Sequence, residues 1–530
     1  MTGSTVTIHP EPTTAGTQVL IVEAIDVRDR AGTPAEFHFK VAPAESAVGR
    51  WHFDDAAQGA TTTVAKDTAT TEGARHDITL HQQSGKAATW TDQGRRGSGD
   101  YSLRLNDDVT DPAQRTGHAS TSSAPLNTRD SFTVSAWVML TDASTTRVVA
   151  SAPGTDSSAA FNLFYSASAK KWVFNRAVAD SATPAYVSAL ADTPHPPLNV
   201  WTHLVGVFDT KRDTDNANDT IQLFVNGRPQ GSPVTLAAVN SAYMPWTSSA
   251  GMTVGGSKSG EYFMGRVDEL AVWQRALLPG EVRKEGRLET DGVPASELVA
   301  HWDAAAAANG RVPQLTSYAA GAMTASATGV TAEPDEGTLR LDGVSGHLAT
   351  TGPVVDETGS FTVTAGVRLD GAKLAALPVG AKAHVFSQAT PDGKESSWAL
   401  WVEKAGPDAY LWRFGRTATD AVGAVVASGS VASADVAEVD TWVQITGVYD
   451  GTEETTAGHG NTRLYVGEMQ QPEAVGSSFT APTQGSGEIA AGRGSASGVR
   501  GHFLPGSLSE LRVWTGAMTS EQVFSLATGA

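Results

Sequence analysis

Apolar and polar residues alternate along most of this chain with the period of two expected of strands that bury one face. Phe132, Val134, Ala136 and Val138 alternate with Thr133, Ser135 and Trp137, and the same phrase returns as Phe361, Val363, Ala365 and Val367 around Thr362, Thr364 and Gly366. Other phrases are written twice in the same order. Val200 to Asp209 returns as Thr441 to Asp450, and the hairpin Phe161–Tyr165 with Lys171–Arg176 returns as Trp398–Val402 with Tyr410–Arg416. Val267–Val282, VDELAVWQRALLPGEV, returns as Leu508–Val523, LSELRVWTGAMTSEQV. Asn226-Gly227 between apolar runs predicts a two-residue hairpin turn, and Gly467-Glu468 stands in its place in the second copy. The period lengthens only after the two closing strands, which predicts short helices from Pro279 to about Leu288 and from Thr519 onward, the latter with capping-box spacing to Gln522.

Residues 1–45 predict three strands, Thr5–His9, Val19–Asp26 and Glu36–Val41, too few for a closed sandwich. The phrase GTQVLIVEAIDVRDRAGTPAEFHFKVAP resembles the last strands of an immunoglobulin-like or fibronectin-like module. An accessory sheet packed on the next domain is the alternative. The expected organisation is therefore a C-terminal piece of such a module at 1–45, a first repeat at 46–290, a linker at 291–297 and a second repeat at 298–530.

Many short antiparallel strands per repeat read as a two-sheet sandwich. The ordered phrases, from His52-Phe53-Asp54 and Leu103-Arg104-Leu105-Asn106 through SFTVSAWV, WTHLVGVFD and LFVNG to DELAVWQRAL, resemble LamG-like jelly-roll domains of the concanavalin A-like lectin/glucanase superfamily. The resemblance covers residues 50–288 and 298–530. It implies an all-β fold of two tandem jelly-roll β-sandwiches behind a short N-terminal β segment, and it leaves function open, because this fold serves many.

Composition narrows the partners. With 38 Lys plus Arg against 57 Asp plus Glu, the formal charge of −19 repels phosphate backbones, so nucleic acid is not an expected partner. No apolar run reaches the roughly 18 residues of a spanning segment, so membrane insertion is not expected. The polar start MTGSTVTIHP lacks the pattern of a signal peptide. Together with the truncated first module, this predicts a piece of a larger exported bacterial chain, extracellular or at the cell surface. The absence of cysteine excludes disulfides, thiolate metal sites and a cysteine nucleophile.

The family resemblance implies a structural calcium ion at the sandwich edge. The matching acids are Asp54, Asn106, Asp107, Asp268 and Glu269 in the first repeat and Asp303, Asp342 and Glu510 in the second. Ser509 stands where the first repeat has Asp268, so the first repeat is expected to hold calcium better. Sugar recognition relies on aromatic faces flanked by polar groups. Trp172, Phe174 and Arg176 share one strand face, as do Trp412 and Arg416 in the second copy; Trp401, Trp246 and Tyr262 complete the candidate ligand-binding residues. Catalysis finds little support: no strand-borne E-x-D-x-x-E, H-E-x-x-H or G-x-S-x-G occurs. The expectation is a non-catalytic segment that recognises a polysaccharide or cell-surface glycan. The alternatives are spacer modules that dock to other parts of the same large protein, and a glycoside hydrolase with an unfamiliar acid pair.

Overall fold

The computed structural model describes residues 16–22, 35–41, 46–70, 75–82, 86–95, 99–156, 158–211, 213–287, 296–316, 321–390, 392–417, 430–451, 462–472 and 487–529. Near the N-terminus, Gly16–Val22 pairs antiparallel with Ala35–Val41; the expected strand Thr5–His9 lies outside the described residues.

Two jelly rolls follow, each made of two antiparallel sheets. In the first, one sheet runs Arg228–Thr235, Thr220–Val225, Trp201–Asp209, Phe132–Leu140, Gly265–Trp273, Ser102–Leu105 and Ala88–Thr91, and Gly49–Trp51 pairs with the other end of Gly265–Trp273. The opposed sheet runs Tyr186–Leu190, Lys171–Ala177, Ala159–Ser166, Arg147–Pro153, Thr253–Val254, His118–Thr121, Ile78–His81 and Val64–Ala65. The second jelly roll repeats this order around Phe361–Leu369, Trp442–Tyr449 and Pro505–Thr515 in one sheet, and Lys382–Ala389, Ser396–Gly406 and Ala409–Arg416 in the other. Asn226 and Gly227 both adopt positive φ, 51° and 77°, as the expected two-residue turn requires. The closing helices span Pro279–Arg287 and Ser520–Thr528, and the Thr519–Gln522 capping box is formed. Two further helices, Leu236–Val239 and Gly371–Ala375, are too short for periodicity to announce.

Each core is organised around one phenylalanine. Phe132 packs on Phe161, Phe208 and Phe174 with ring centroids 5.1, 5.5 and 6.3 Å away. Phe361 repeats the cluster with Trp398, Tyr449 and Phe414 at 5.4, 5.6 and 6.4 Å. A fully buried arginine caps each cluster: Arg176 lies 3.9 Å from the Phe208 ring centroid and Arg416 lies 4.2 Å from that of Tyr449.

The jelly rolls touch through polar groups. Thr202 Oγ1 donates to Asp356 Oδ2 and Asn226 Nδ2 to Thr358 Oγ1, each at 3.0 Å. Arg95 pairs with Glu297 and lies 3.8 Å from the centroid of Trp137.

Candidate functional site

The strand Ala159–Ser166 buries Phe161, Leu163 and Tyr165 in the core and turns Asn162 and Phe164 to the opposite face. Its neighbour Lys171–Ala177 does the same, with Trp172, Phe174 and Arg176 inward, so Val173 and Asn175 face out. The registers Ser151 to Asn162, Asn162 to Asn175 and Asn175 to Ser188 place four polar side chains in file across four strands. Ser151 Oγ donates to Asn162 Oδ1 at 2.8 Å, and Asn162 Nδ2 donates to Asn175 Oδ1 at 3.0 Å. Each amide is thereby oriented by its neighbour, and among the described residues the Asn175 Nδ2 group has no acceptor, which leaves it to serve the space above the sheet.

That space is a groove of about 280 Å³ over Ser151, Asn162 and Asn175, edged by Phe164, Tyr186 and Glu261. The Tyr186 hydroxyl is held by the Ala159 backbone N–H at 3.1 Å. One wall is formed by Pro153, Ser158 and Ala159. Asp180 braces it by accepting from the Thr155 N–H at 3.0 Å and from the hydroxyls of Thr155 and Ser158, which together hold its carboxyl down at about 2 against the opposing effect of burial. Lys258 closes the end of the groove, donating to the carbonyls of Gly154, Thr155 and Asp156.

The second jelly roll lacks this site. Ala399 and Gly415 occupy the register positions of Asn162 and Asn175 beside Ser387. A longer loop forms the hairpin Gly494–Ala496 with Val499–Gly501 and lies on the same face. Ser495 N–H donates to Ser396 Oγ at 2.9 Å and Gly498 N–H to Glu395 Oε1 at 3.1 Å. Beneath it His384 is buried between Trp401 and His502, with ring centroids 5.9 and 5.3 Å away; burial and the neighbouring His502 and Lys382 hold its pKa well below the usual imidazole range.

The expected aromatic ligand face is instead the core face. Trp172, Phe174, Arg176, Trp412 and Arg416 do share a face in their strands, but at 0–3% exposure none reaches solvent. Arg176 donates to the Thr128 carbonyl and Arg416 to that of Glu357, so the charge that pointed to solvent is satisfied internally. Trp401 lies buried under the hairpin. Trp246 leans on the core and donates Nε1–H to the Ala177 carbonyl at 3.1 Å, and Tyr262 sits against His118, 5.7 Å between centroids, outside the groove.

The acids expected to bind calcium have other partners. Asn106 is buried, donating Nδ2–H to the carbonyls of Gly117 and Phe263 and accepting from the Gly117 N–H. Asp107 pairs with Arg104. Asp268 is fully buried, accepting from the backbone N–H groups of Arg95 and Glu269, and burial with Asp100 and Glu269 nearby raises its pKa well above the carboxylate range. Glu269 pairs with His52 at 2.7 Å, and Glu510 pairs with His301 at 2.8 Å and with Arg512. Both glutamates sit at positive φ in their strands, 47° and 50°. Asp54 accepts from the Tyr101 N–H, Asp303 caps a turn, and Asp342 takes the N–H groups of Val344, Ser345 and Gly346, which bring its carboxyl to about 2 although burial opposes them. Among the described residues no three His, Cys, Asp or Glu side chains converge on one point. A calcium ion takes six to eight oxygens, and these donor sets do not fit it. Calcium chloride added after chelation is accordingly expected to leave the unfolding temperature unchanged in calorimetry; a rise for either jelly roll would reveal a shell these residues do not form.

Over residues 113–283 and 342–524 the sequence matches a family described as the concanavalin A-like lectin/glucanases superfamily. No curated protein matches the chain. Among solved structures, domain 4 of AbnA, an extracellular arabinanase from Geobacillus stearothermophilus, in complex with arabinotriose, is similar at 17% identity and TM-score 0.32, over 46% of this chain and 100% of that one. The CBM40 domain of Ruminococcus gnavus IT-sialidase bound to α2,3-sialyllactose is similar at 14% identity and TM-score 0.23, over 29% and 81%. The binding domain of Paraclostridial Mosquitocidal Protein 1 is similar at 10% identity and TM-score 0.34, over 81% and 92%. Similarity at this level assigns no ligand to this chain.

Proposed function

The chain belongs to the concanavalin A-like lectin/glucanase superfamily, and we propose that its first jelly roll is a glycan-binding module whose ligand lies across the Ser151–Asn162–Asn175 file. The observation that supports this reading is the file itself. A sheet face that only needed solvent contact has no use for amides that orient one another, whereas a sugar presents donors and acceptors that fixed amides and hydroxyls can match. Phe164 and Tyr186 offer apolar surface for a pyranose face. Glu261 is the one carboxylate among the groove residues, while the common glycosidase mechanisms need two, so the reading is binding without catalysis. The protein that carries it is read as an exported bacterial one, acting outside the cell.

The second jelly roll serves as a spacer in this reading, because its own hairpin occupies the corresponding face. A glycan array probed with the full chain tests the assignment. Binding is expected for the native chain and is lost when Asn162→Ala and Asn175→Gly rewrite the file as the second copy has it. Two charge-neutral hydrogen-bonding groups deleted from a desolvated contact are worth about tenfold or more in affinity. Equal binding by native and doubly substituted chains would remove the groove from the account.

A further inference from the structure

A second cavity, about 540 Å³, opens on the first jelly roll between the closing strand and the helix Pro279–Arg287. Trp273 and Leu277 line it, at 5% and 6% exposure, and charged groups surround them. Most are locked in two-point ion pairs. Arg50 holds Glu285 through contacts of 2.9 and 3.1 Å, and Arg275 holds Glu281 through 2.7 and 2.8 Å. Two donors remain uncommitted. His52 spends Nδ1 on Glu269 and lines the cavity with its other nitrogen still unused, and Lys284 projects from the exposed side of the helix with no ion-pair partner among the described residues.

The second copy shows that the fold does not require this cavity. Where the first has Leu277 and Glu285, the second has Met518 and Leu526, which pack with Trp514 and Val523 into a continuous apolar cluster, and His301 stands at the register position of Arg50. Arg50, Glu281, Lys284 and Glu285 thus open a charged space where an apolar seal is available to the same architecture. With His52 protonated, four cationic side chains (Arg50, His52, Arg275, Lys284) face three carboxylates (Glu269, Glu281, Glu285), which leaves room for one negative charge.

We propose that this cavity is a second ligand site, separate from the groove, that binds the carboxylate of a sugar acid on His52 and Lys284. The bond to Glu269 raises the His52 pKa against burial and the Arg50 charge, with Asp54 adding to the rise, so the site is most cationic at mildly acid pH. Arg50 and Glu269 face His52 from the strands, and Glu281, Lys284 and Glu285 face the cavity from the helix.

Titration of the full chain with D-glucuronate, followed by the imidazole resonances of His52, tests the site. Glucuronate is expected to shift those resonances while D-glucose does not, and affinity is expected to fall as pH rises through the His52 titration. Lys284→Ala, on an exposed position that folding does not need, is expected to weaken glucuronate about tenfold or more, and His52→Gln to remove the pH dependence. Equal response to glucose, no response to glucuronate, or unchanged affinity in Lys284→Ala would overturn the proposal. Because Asn162 and Asn175 are not involved, the double substitution in the groove leaves glucuronate binding intact whichever way the glycan array turns out.

Discussion

Replacing Arg416 with alanine is expected to destabilise the second jelly roll by about 3–5 kcal/mol above pH 8, where Glu357 is ionised, the usual cost of removing one partner from a buried ion pair. Arg416 and Glu357 are both fully buried, 3.8 Å apart at their closest charged atoms, and Ser397 donates to the same Glu357 oxygen at 2.8 Å. Burial already raises the Glu357 pKa to about 8 against the pull of Arg416. The sign of the pH effect follows. A carboxyl whose folded pKa lies above its unfolded one contributes most stability at low pH, where it is protonated in both states, and loses it as pH rises toward the folded value. Without Arg416 the folded pKa climbs further; below pH 8 Glu357 is protonated in the folded state of both proteins, so the deficit of the variant is expected to stay level from about pH 5 to 8 and to grow as pH rises above 8. Glu357→Gln in the Arg416→Ala background removes the unpaired charge and is expected to recover part of the loss. Calorimetry of the full chain reads this out as a lowered transition for the second jelly roll only. A loss below about 1 kcal/mol above pH 8 would mean that the pair is not structural. The same change at Arg176 is expected to cost less, because no carboxylate lies at ion-pair distance from it among the described residues.

Gly206→Ala and Gly447→Ala are expected to destabilise their respective jelly rolls by about 1–3 kcal/mol each, as overpacking of a tight core does. A Cβ at Gly206 would lie well inside contact distance of the Phe174 ring, and one at Gly447 inside that of Phe414. Neither glycine has positive φ, so the penalty is steric and not conformational. The rings cannot retreat, because each is wedged against Phe132 or Phe361 in the aromatic cluster. Trimming the obstacle tests this cause: Phe174→Leu is expected to cost less in the Gly206→Ala background than in the native one, as a double-mutant cycle measures. Additive losses would place the strain elsewhere.

Much of the fold was legible because the chain states it twice. Period-two phrases such as Phe132–Val138 and Phe361–Val367 named the strands, and the agreement of two copies fixed their order. Parity hid the site. Alternation shows that Trp172, Phe174 and Arg176 share a face but not which face, and the arginine misdirected the choice because its charge is absorbed by ring faces and a backbone carbonyl in the core. The signal that identifies the groove was nonetheless present in the repeat: Asn162 and Asn175 become Ala399 and Gly415 while the neighbours Phe174 and Arg176 return as Phe414 and Arg416. The recurrence of the acids has a related explanation. Glu269 and Glu510 recur because each bulged closing strand pairs its glutamate with a histidine, a contact between residues far apart in sequence that no local spacing reveals.

The feature the repeat began from, the closing strand, thus marks the architecture, and the divergence between copies marks the function. Hydrogen exchange of the full chain with and without an oligosaccharide that it binds tests that claim most directly. The account predicts added protection in the strands Arg147–Pro153, Ala159–Ser166 and Lys171–Ala177 and none in Lys382–Ala389, Ser396–Gly406 and Ala409–Arg416. Protection confined to the second jelly roll, or spread equally over both, would contradict it.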